Sequence, residues 1–298
     1  MILLDTLAPV FVIALLGYAL GRASEGLVAP LAKVAFFVLT PSLIMNTLLT
    51  GSISAADAGT IALFVFIVHG GLFAGTWAVG RFRGWGRERS VASSLVMSCS
   101  NVGNFGLPVL LFAFGEQGFA LGVVYVVAHQ AFQLMFPLGV AAWEEGQGVK
   151  VWVKKILSVP WIYAFAVALL LRGTGGDLPR FLGRPLAMMA QAAIPVQLLI
   201  LGMQLSRVKF KGMLADVAGL SAAKLLIPPI LALGVAELLG VHGILRGVLV
   251  LEASAPAAVN AIIISLQYNR DPRLVSGTLL VTTLGSVMTI SALLLYLT

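Results

Sequence analysis

The stretch Ser98-Cys99-Ser100-Asn101-Val102-Gly103-Asn104-Phe105-Gly106-Leu107-Pro108 interrupts one of the long apolar runs of this 298-residue chain. Pro108 cannot donate to a helical hydrogen-bond ladder, and its ring clashes with the preceding turn. Gly103 and Gly106 weaken a helix further, because glycine loses more backbone freedom on ordering than any other residue. We therefore expect a helix that breaks here and leaves backbone N–H and C=O groups in need of partners.

A second stretch, Glu252-Ala253-Ser254-Ala255-Pro256-Ala257-Ala258-Val259-Asn260, interrupts a later apolar run in the same way. Inside a membrane the freed backbone groups must bind protein, water, an ion or a substrate. The free N-terminus of a half-helix carries about half a positive charge and can hold a carboxylate without a buried arginine. The alternative is a pair of proline kinks satisfied by Ser and Asn side chains. Because both breaks carry an asparagine, we interpret the two segments as a candidate binding site.

The composition indicates a chain surrounded by lipid. Hydrophobic residues make up 59% of the sequence and charged residues only 10%, whereas a soluble domain carries about 25% charged residues. The net charge of +7 does not indicate a nucleic-acid partner, because Lys and Arg lie in short clusters between apolar runs. The single Cys99 excludes an internal disulfide and a Cys-rich metal site. The first run carries Asp5 and is long enough to span, so we expect no cleaved signal peptide.

Ten apolar runs are long enough for membrane-spanning helices, which need about 20 residues each. Lipid requires each span to satisfy its own backbone hydrogen bonds, and the runs lack the alternation of a β-barrel. We therefore predict an all-α membrane protein of ten transmembrane helices. The predicted spans are 2–21, 28–50, 58–80, 90–113, 118–142, 157–172, 185–205, 213–239, 243–267 and 274–297.

The loops between these spans differ in positive charge. With the N-terminus outside, the inward loops hold fourteen Lys and Arg residues and the outward loops hold four. The positive-inside rule then predicts a multi-pass protein of the cell (inner) membrane with both termini on the extracellular or periplasmic face. The inward cations are Arg22, Lys33, Arg81, Arg83, Arg87, Arg89, Lys150, Lys154, Lys155, Arg207, Lys209, Lys211, Arg270 and Arg273, and the outward ones are Arg172, Arg180, Arg184 and Arg246.

The prolines indicate an internal repeat. Matched pairs lie about half a chain apart: Pro9 and Pro160, Pro30 and Pro185, Pro41 and Pro195, and Pro108 and Pro256. Pro185 is expected to open span seven, and Pro41 and Pro195 to interrupt spans two and seven. Because five spans is an odd number, the second copy must be inverted, as in many secondary transporters. The predicted organisation is a five-helix repeat at 1–142, a short cytoplasmic loop at 143–156 and an inverted repeat at 157–298.

At these two breaks the sequence resembles a known family. Asn101-Val-Gly-Asn-Phe-Gly-Leu-Pro108 resembles the fourth-helix motif of the auxin efflux carrier family, whose prokaryotic members include permeases of malate-like acids. Ala255-Pro-Ala-Ala-Val-Asn260-Ala resembles the ninth-helix motif, and Tyr268-Asn-Arg-Asp271-Pro272 leading to Thr282-Thr283 also fits. Asn104 stands where many members have an aromatic residue, which implies a more polar pocket.

The resemblance implies that broken helices four and nine cross, with Asn101 and Asn260 near the substrate. It also implies a transport domain of spans 3–5 and 8–10 that moves in an elevator-like manner against a scaffold of spans 1, 2, 6 and 7, which often dimerises. The expected substrate-binding residues are Asn101, Val102, Gly103, Asn104, Pro108, Pro256, Ala257 and Asn260, with the amides of Asn46 and Gln197 facing the substrate from the scaffold.

Glu252 is the one acidic residue that we place well inside a span. A charge at the bilayer centre costs about 2.5–3.5 kcal/mol on insertion scales, so a proton carrier or a Na⁺ ligand is the expected role. The alternative is a protonated carboxyl that is hydrogen-bonded to a neighbour. His129 and Gln133 lie four residues apart on one face of span five and would complete an ion site or a proton path, or else form interhelical hydrogen bonds.

Two further polar residues lie inside spans at equivalent positions of the repeat. His69 in span three and Lys224 in span eight are candidates for ion or proton coupling. Lys224 would balance Glu252 or attract an anion. The preferred alternative is that Lys224 extends to the cytoplasmic edge, because it lies about a dozen residues from Lys211.

The sequence therefore predicts a secondary transporter, and not an enzyme, for a small organic anion of the auxin-like or malate-like mono- or dicarboxylate class. No cofactor is expected, and H⁺ coupling, Na⁺ coupling and uniport all fit the residues. A sodium-coupled bile-acid or steroid-type symporter of the same architecture is the main alternative, followed by a channel or an intramembrane enzyme. An ATP-driven pump is disfavoured because the sequence contains no nucleotide-binding Gly-rich motif. Besides the anion, the expected partners are membrane lipid and a second copy of the chain.

Overall fold

The fold is helical throughout the part of the chain that the structure describes. The structure is a computed structural model that describes residues 2–24, 26–51, 53–137, 153–154, 157–176, 178–208, 213–268 and 270–297. Within these ranges the only strand-like pairing is one isolated antiparallel bridge. Most of the predicted cytoplasmic loop at 143–156 lies outside the described residues, as do Lys209, Lys211 and Asn269.

The described ranges contain eleven helices, which we number in chain order. Several carry irregular turns that matter for the site, because a helix with a π turn or a kink has locally unpaired backbone groups. The helices are α1 Ile2–Ala23, α2 Val28–Thr50, α3 Ala55–Phe82, α4 Arg87–Ser98, α5 Leu107–Met135, α6 Pro160–Thr174, α7 Arg180–Leu205, α8 Leu214–Leu238, α9 Gly243–Ala253, α10 Val259–Gln267 and α11 Pro272–Leu297.

Seven stretches of the described chain are both long and apolar enough to cross a membrane. They correspond to α1, α2, α3, α5 with the turn before it, α7, α8 and α11. The 15-residue α6 is shorter, at about 22 Å against a hydrocarbon thickness of about 30 Å. The predicted fourth and ninth spans are each divided into two shorter pieces. The glycines and prolines of the two breaks predict this division.

Helix α5 is folded back on itself at Gly115. This residue has φ 62° and ψ −159°, a conformation accessible essentially only to glycine. A straight helix would separate Leu107 from Gly122 by about 22 Å. Instead, a Cβ placed on Gly122 would lie 2.5 Å from Leu110 Cδ1 and 3.0 Å from Leu107 Cδ2. The two arms of α5 therefore pack against each other, and they correspond to the end of predicted span four and to span five.

Two of the predicted proline effects are wrong. Helix α7 begins at Arg180 and continues through both Pro185 and Pro195 to Leu205, so Pro185 does not open it and Pro195 does not interrupt it. At Pro41 the regular α-helix of α2 is interrupted, since a π turn at Ala35–Leu39 directly precedes the turn that carries the proline. A π turn widens the helix locally and makes room for the proline ring. A proline alone therefore does not end these helices.

The chain divides into two compact units. The first unit comprises Met1–Leu7, Ala55–Gly148 and Val208–Thr298, and the second comprises Ala8–Ser54 and Val149–Arg207. In the first unit α3 packs against α4 and α5, α8 packs against α11, and α9 packs against α5. Both broken segments therefore belong to the first unit.

The second unit is built on close helix contacts. A Cβ placed on Gly17 of α1 would lie 2.8 Å from the Leu199 Cα of α7, so glycine is required for this approach. Arg172, near the end of α6, donates to the carbonyls of Leu48, Gly51 and Ile53 at 3.2, 2.8 and 2.9 Å. Arg172 therefore supplies hydrogen-bond donors to carbonyls at and just after the end of α2 that have no helical partner.

Candidate functional site

The two broken segments meet in the first unit. Ser100 and Ala257 form the isolated antiparallel bridge. The Asn101 N–H donates to the Pro256 carbonyl at 2.8 Å, and the Ala258 N–H donates to the Cys99 carbonyl at 2.9 Å. Each break thus satisfies backbone groups of the other, which is what an apolar environment requires of them.

Side chains complete this crossing of the two segments. The Thr282 hydroxyl of α11 accepts a hydrogen bond from the Ala257 N–H at 3.2 Å. The Ser100 hydroxyl donates to the carbonyl of Ala253, the last residue of α9, at 3.3 Å. Both segments are buried along most of their length, so the crossing is a fixed part of the core of the first unit.

A helix N-terminus follows each of the two paired segments in the chain. A π-helical turn at Val102–Gly106 leads into α5, and α10 begins at Val259. The first N–H groups of a helix have no partner within the helix and carry partial positive charge. Gly103 and Asn104 are partly exposed, and a Cβ on Gly103 would meet no atom within 4 Å. Open space therefore lies beside Gly103 at the first of these two helix N-termini, where a bound group could be accommodated.

Asn101 lies immediately before the first of these turns. Its own carbonyl accepts hydrogen bonds from the N–H groups of Phe105 at 3.3 Å and Gly106 at 3.1 Å. Its side chain is 6% exposed, and its Nδ2 has no hydrogen-bond partner among the described residues. A buried amide without a partner costs about 1–3 kcal/mol, so Asn101 Nδ2 is a donor that remains available for a bound group.

The predicted substrate residues of the two breaks lie together. Val102, Gly103 and Asn104 form the turn before α5, whereas Pro256 and Ala257 supply the paired segment and Asn260 lies in the first turn of α10. Pro108 is buried in the first turn of α5, so the break precedes it by several residues. The reason is that the ring of Pro108 obstructs the turn before it, where Gly103 and Gly106 permit a π conformation.

Lys224 does not extend to the cytoplasmic edge, so the preferred expectation for it is wrong. Its side chain is fully buried, and Nζ donates to the Met97 carbonyl at 3.0 Å and to the Ser100 hydroxyl at 2.7 Å. Met97 precedes the last residue of α4, where carbonyls lack helical partners and carry partial negative charge. The Lys224 amino group is therefore held at the end of α4, beside the crossing, and places N–H donors there.

Two histidines converge on the last carbonyl of α4. His69 Nδ1 donates to the Ser98 carbonyl at 2.8 Å, and His129 Nε2 donates to the same oxygen at 3.0 Å. Both rings are fully buried, and their centroids are 4.2 Å apart. The Ser98 carbonyl is free to accept both hydrogen bonds because the helix ends at this residue.

The hydrogen bonds continue from His129 to the second break. Gln133 Nε2 donates to His129 Nδ1 at 3.2 Å, and Asn260 Nδ2 donates to Gln133 Oε1 at 3.1 Å. On the other side, the Tyr125 hydroxyl lies 2.7 Å from His69 Nε2. When both imidazoles are neutral, each hydrogen bond of this series joins one donor to one acceptor. His69 is then the Nδ1–H tautomer and His129 the Nε2–H tautomer. The residue missing from the sequence prediction is Tyr125, which lies one turn before His129 on the same helix face.

Glu252 is fully buried near the end of α9, and neither carboxylate oxygen has a hydrogen-bond partner among the described residues. It packs against two glycines of the α5 hairpin. A Cβ on Gly106 would lie 2.6 Å from the Glu252 Cδ, and a Cβ on Gly122 would lie 3.4 Å from Oε1. The glycines therefore provide the space that the carboxyl occupies beside the turn that leads into α5.

The remaining two predicted residues belong to the second unit. Gln197 is buried, its Nε2 donates to the Thr40 hydroxyl at 3.4 Å, and its Oε1 has no partner in the described part of the chain. Asn46 is partly exposed in α2, and its carbonyl accepts from the Thr50 hydroxyl at 2.9 Å. Both amides keep unused hydrogen-bonding capacity, which agrees with a role in binding but also with helix association.

Comparison with known proteins places this site in a transport family. The Membrane transport protein family (Mem_trans) matches residues 2–151 and 147–294, nearly the whole chain. An "Uncharacterized transporter" of Methanothermobacter thermautotrophicus is 27% identical over 96% of this chain and 95% of its own length. An "Uncharacterized transporter MJ1031" of Methanocaldococcus jannaschii is 25% identical over 98% and 97%. A "Putative malonate transporter" of Rhizobium meliloti is 28% identical over 75% and 72%.

The chain belongs to this membrane transport family, the auxin efflux carrier family that its two motifs resemble, and its relatives are archaeal and bacterial. It is a multi-pass membrane transporter and not an enzyme. The apolar helices and the paired broken segments described above therefore belong to a membrane transport protein.

Proposed function

We propose that this protein is a secondary transporter of a small organic anion, of the mono- or dicarboxylate class, bound where its two broken helices cross. The observation that carries the proposal is the Ser100–Ala257 bridge, which sets the N-termini of the turn at Val102 and of α10 side by side. Two such termini attract a carboxylate through unpaired N–H groups and partial positive charge.

The hydrogen-bond donors around the crossing support an anion as the bound solute. The amino group of Lys224 lies 2.7 Å from the Ser100 hydroxyl. The free Nδ2 of Asn101 is a further donor, with no acceptor among the described residues. The name of the bacterial relative that covers 75% of this chain points to malonate, a dicarboxylate. A short dicarboxylate is therefore the first class to test.

We propose that the first unit is the part that moves during transport and that the second unit is the stationary scaffold. The first unit contains α3–α5 and α8–α11, and the second contains most of α1, with α2, α6 and α7. This division supports an elevator-type transport domain made of spans 3–5 and 8–10 and a scaffold made of spans 1, 2, 6 and 7. The ten-span inverted repeat, dimerisation through the scaffold and placement in the cell membrane with both termini outside belong to the same proposal.

Coupling is assigned to buried polar groups of the first unit. Glu252 supplies two carboxylate oxygens for H⁺ or Na⁺ beside the turn into α5. The hydrogen-bonded series from His69 through His129 and Gln133 to Asn260 connects the end of α4 with the second break. A change of protonation or ion binding in this region alters groups that contact the crossing directly.

A thermal-shift screen of the purified protein against mono- and dicarboxylates, with and without Na⁺ and across pH, tests the proposal. Ligand binding raises the melting temperature by mass action. We expect a dicarboxylate to stabilise the wild type and to leave Asn101→Ala and Asn260→Ala unaffected, with uptake into proteoliposomes lost in both variants. Gln191→Ala, which removes an exposed amide of α7, is the matched control. Normal binding and uptake in both asparagine variants would show that the site is misplaced.

A further inference from the structure

A groove of about 570 Å³ lies within the first unit, apart from the two helix N-termini of the crossing. Its walls come from α3, α4 and α8, and Leu72, Met97 and Leu274 lie at its apolar end. The volume is within the range of about 300–1,000 Å³ that is usual for ligand sites. The groove is therefore large enough for a molecule and is not assigned to the substrate.

Small residues open the groove along its length. Gly71 and Gly75 of α3 face Gly219 and Ala223 of α8 across it. A Cβ on Gly75 or on Gly219 would meet no atom within 4 Å, and the nearest atom to a Cβ on Gly71 is 3.9 Å away. The glycines are therefore not needed for close helix packing here, and the space beside them is open.

Charge and aromatic groups are confined to one end. Arg83, Trp85, Arg89 and Asp216 lie at the mouth of the groove. Arg89 forms a salt bridge with Asp216, and its guanidinium carbon lies 4.6 Å from the centroid of the Trp85 ring. Arg83 is exposed and has no acidic partner in the described part of the chain. Because Asp216 neutralises one arginine, the mouth keeps a net charge of about +1.

The length of the groove from its apolar to its polar end can be compared with the depth of one leaflet. Arg83 lies twelve residues after Gly71, just past the end of α3, which corresponds to about 18 Å of helix. One leaflet of the hydrocarbon core is about 15 Å deep. An arginine and a tryptophan at the outer end are typical of the membrane–water interface. The groove is therefore about as long as one leaflet is deep, and in a bilayer this length would allow its cationic end to reach the headgroups.

From these features the geometry points to a binding site for an anionic phospholipid, with its phosphate at Arg83 and Arg89 and one acyl chain in the groove beside Gly75 and Gly219. A water-soluble anion would leave most of the apolar walls uncovered, whereas an acyl chain covers them. A zwitterionic lipid would fit the groove but would not neutralise the excess positive charge at its mouth. The inference depends only on the groove and not on the identity of the transported solute.

Native mass spectrometry of the purified protein with added phosphatidylglycerol or phosphatidylcholine tests this site. We expect phosphatidylglycerol to bind more tightly, and Arg83→Gln to weaken its binding by about fivefold, the effect of one cation near an anionic surface. Gly75→Leu and Gly219→Leu should abolish the tight binding by filling the groove without changing charge. The rise in melting temperature on addition of phosphatidylglycerol should be largest for the wild type, smaller for Arg83→Gln and smallest for Gly75→Leu and Gly219→Leu.

Matched controls separate the groove from the general attraction of lipid to a basic surface. Gly59→Leu adds the same side chain at an exposed site of α3, where a Cβ meets no atom within 4 Å, and should bind lipid normally. Arg81→Gln removes an exposed arginine that packs over Trp77, outside the groove, and should also bind normally. Equal binding of the two lipids would overturn the proposal. So would unchanged binding in Gly75→Leu and Gly219→Leu, or equally tight binding of glycerol phosphate.

Discussion

The last turn of α4 is the point to which three other helices are tied by hydrogen bonds. The Ser98 carbonyl accepts from His69 of α3 and His129 of α5, while the neighbouring Met97 carbonyl accepts from Lys224 of α8. Inside a helix each carbonyl already accepts one backbone N–H, so it could not also accept two buried side-chain donors. The break in the chain thus creates the acceptors, and the buried donors satisfy them.

Substitution of Lys224 tests this interpretation at the residue scale. Lys224→Met retains most of the side-chain volume but removes the donor to the Met97 carbonyl and to the Ser100 hydroxyl. Each buried group left without a partner costs about 1–3 kcal/mol, so we expect a clearly lower melting temperature in detergent. Lys33→Met, at an exposed site of α2, is the control. Equal melting temperatures for the two variants would rule out this role for Lys224.

Substitution of the buried Glu252 tests its proposed role in H⁺ or Na⁺ coupling. Glu252→Gln keeps the shape of the side chain but cannot exchange a proton or ligate Na⁺ as a carboxylate. We expect uptake into proteoliposomes to lose its dependence on pH or on Na⁺, whichever the wild type shows. Glu116→Gln, at an exposed site in α5, should retain the wild-type dependence. An unchanged profile in Glu252→Gln would assign this carboxyl a structural role only.

The polar residues differ in how far the sequence could predict them. Asn101 and Asn260 are recognisable because each lies beside a break that Gly and Pro encode locally. The position of the Lys224 amino group depends on α4, more than a hundred residues away in sequence, and distance from the nearest loop gave the wrong expectation. The hydrogen bond of Tyr125 depends in the same way on a partner in another helix, His69.

At the scale of the helices, the backbone conformation of Gly115 decides whether α5 is one helix or a hairpin. Gly115→Ala places a Cβ where φ is 62° and ψ is −159°, which costs about 1–3 kcal/mol for a residue other than glycine. We expect a lower melting temperature than in Gly59→Ala, since Gly59 is exposed and its Cβ position is open. Equal stability of the two variants would show that the chain does not reverse at Gly115.

The two breaks were predictable from the sequence, whereas the continuity of α7 through its two prolines was not. Two glycines before Pro108 and the Ala-Pro-Ala sequence around Pro256 reduce helix formation over several residues. Pro185 and Pro195 lie among strong helix formers, and α7 accommodates both without ending. Neighbouring residues and tertiary packing therefore decide whether a proline breaks a helix, and only the first of these can be read from the sequence.

At the scale of the whole molecule, the distribution of cations predicts the orientation. Cys99 is the only cysteine of the chain and is buried, so an introduced cysteine reports its own exposure to reagent. We expect His242→Cys to react with a membrane-impermeant maleimide on intact cells and Glu88→Cys to react only after the membrane is opened. Both residues are exposed in the structure. The reverse pattern would invert the topology.

The division of the chain into two units could not be derived from composition or from the repeat. The repeat divides the sequence near its middle, whereas each compact unit combines segments from both halves. Composition is apolar in both units, because both face lipid. The grouping follows from packing between helices distant in sequence, which only the resemblance to a known family implied.

The most direct test of the central claim is a cryo-electron microscopy structure of the protein with bound malonate. We expect the carboxylate density at the N-termini of the turn at Val102 and of α10, within hydrogen-bond distance of backbone N–H groups and of the Asn101 amide. Malonate bound away from the crossing, or unbroken helices where Ser100 pairs with Ala257, would contradict the account.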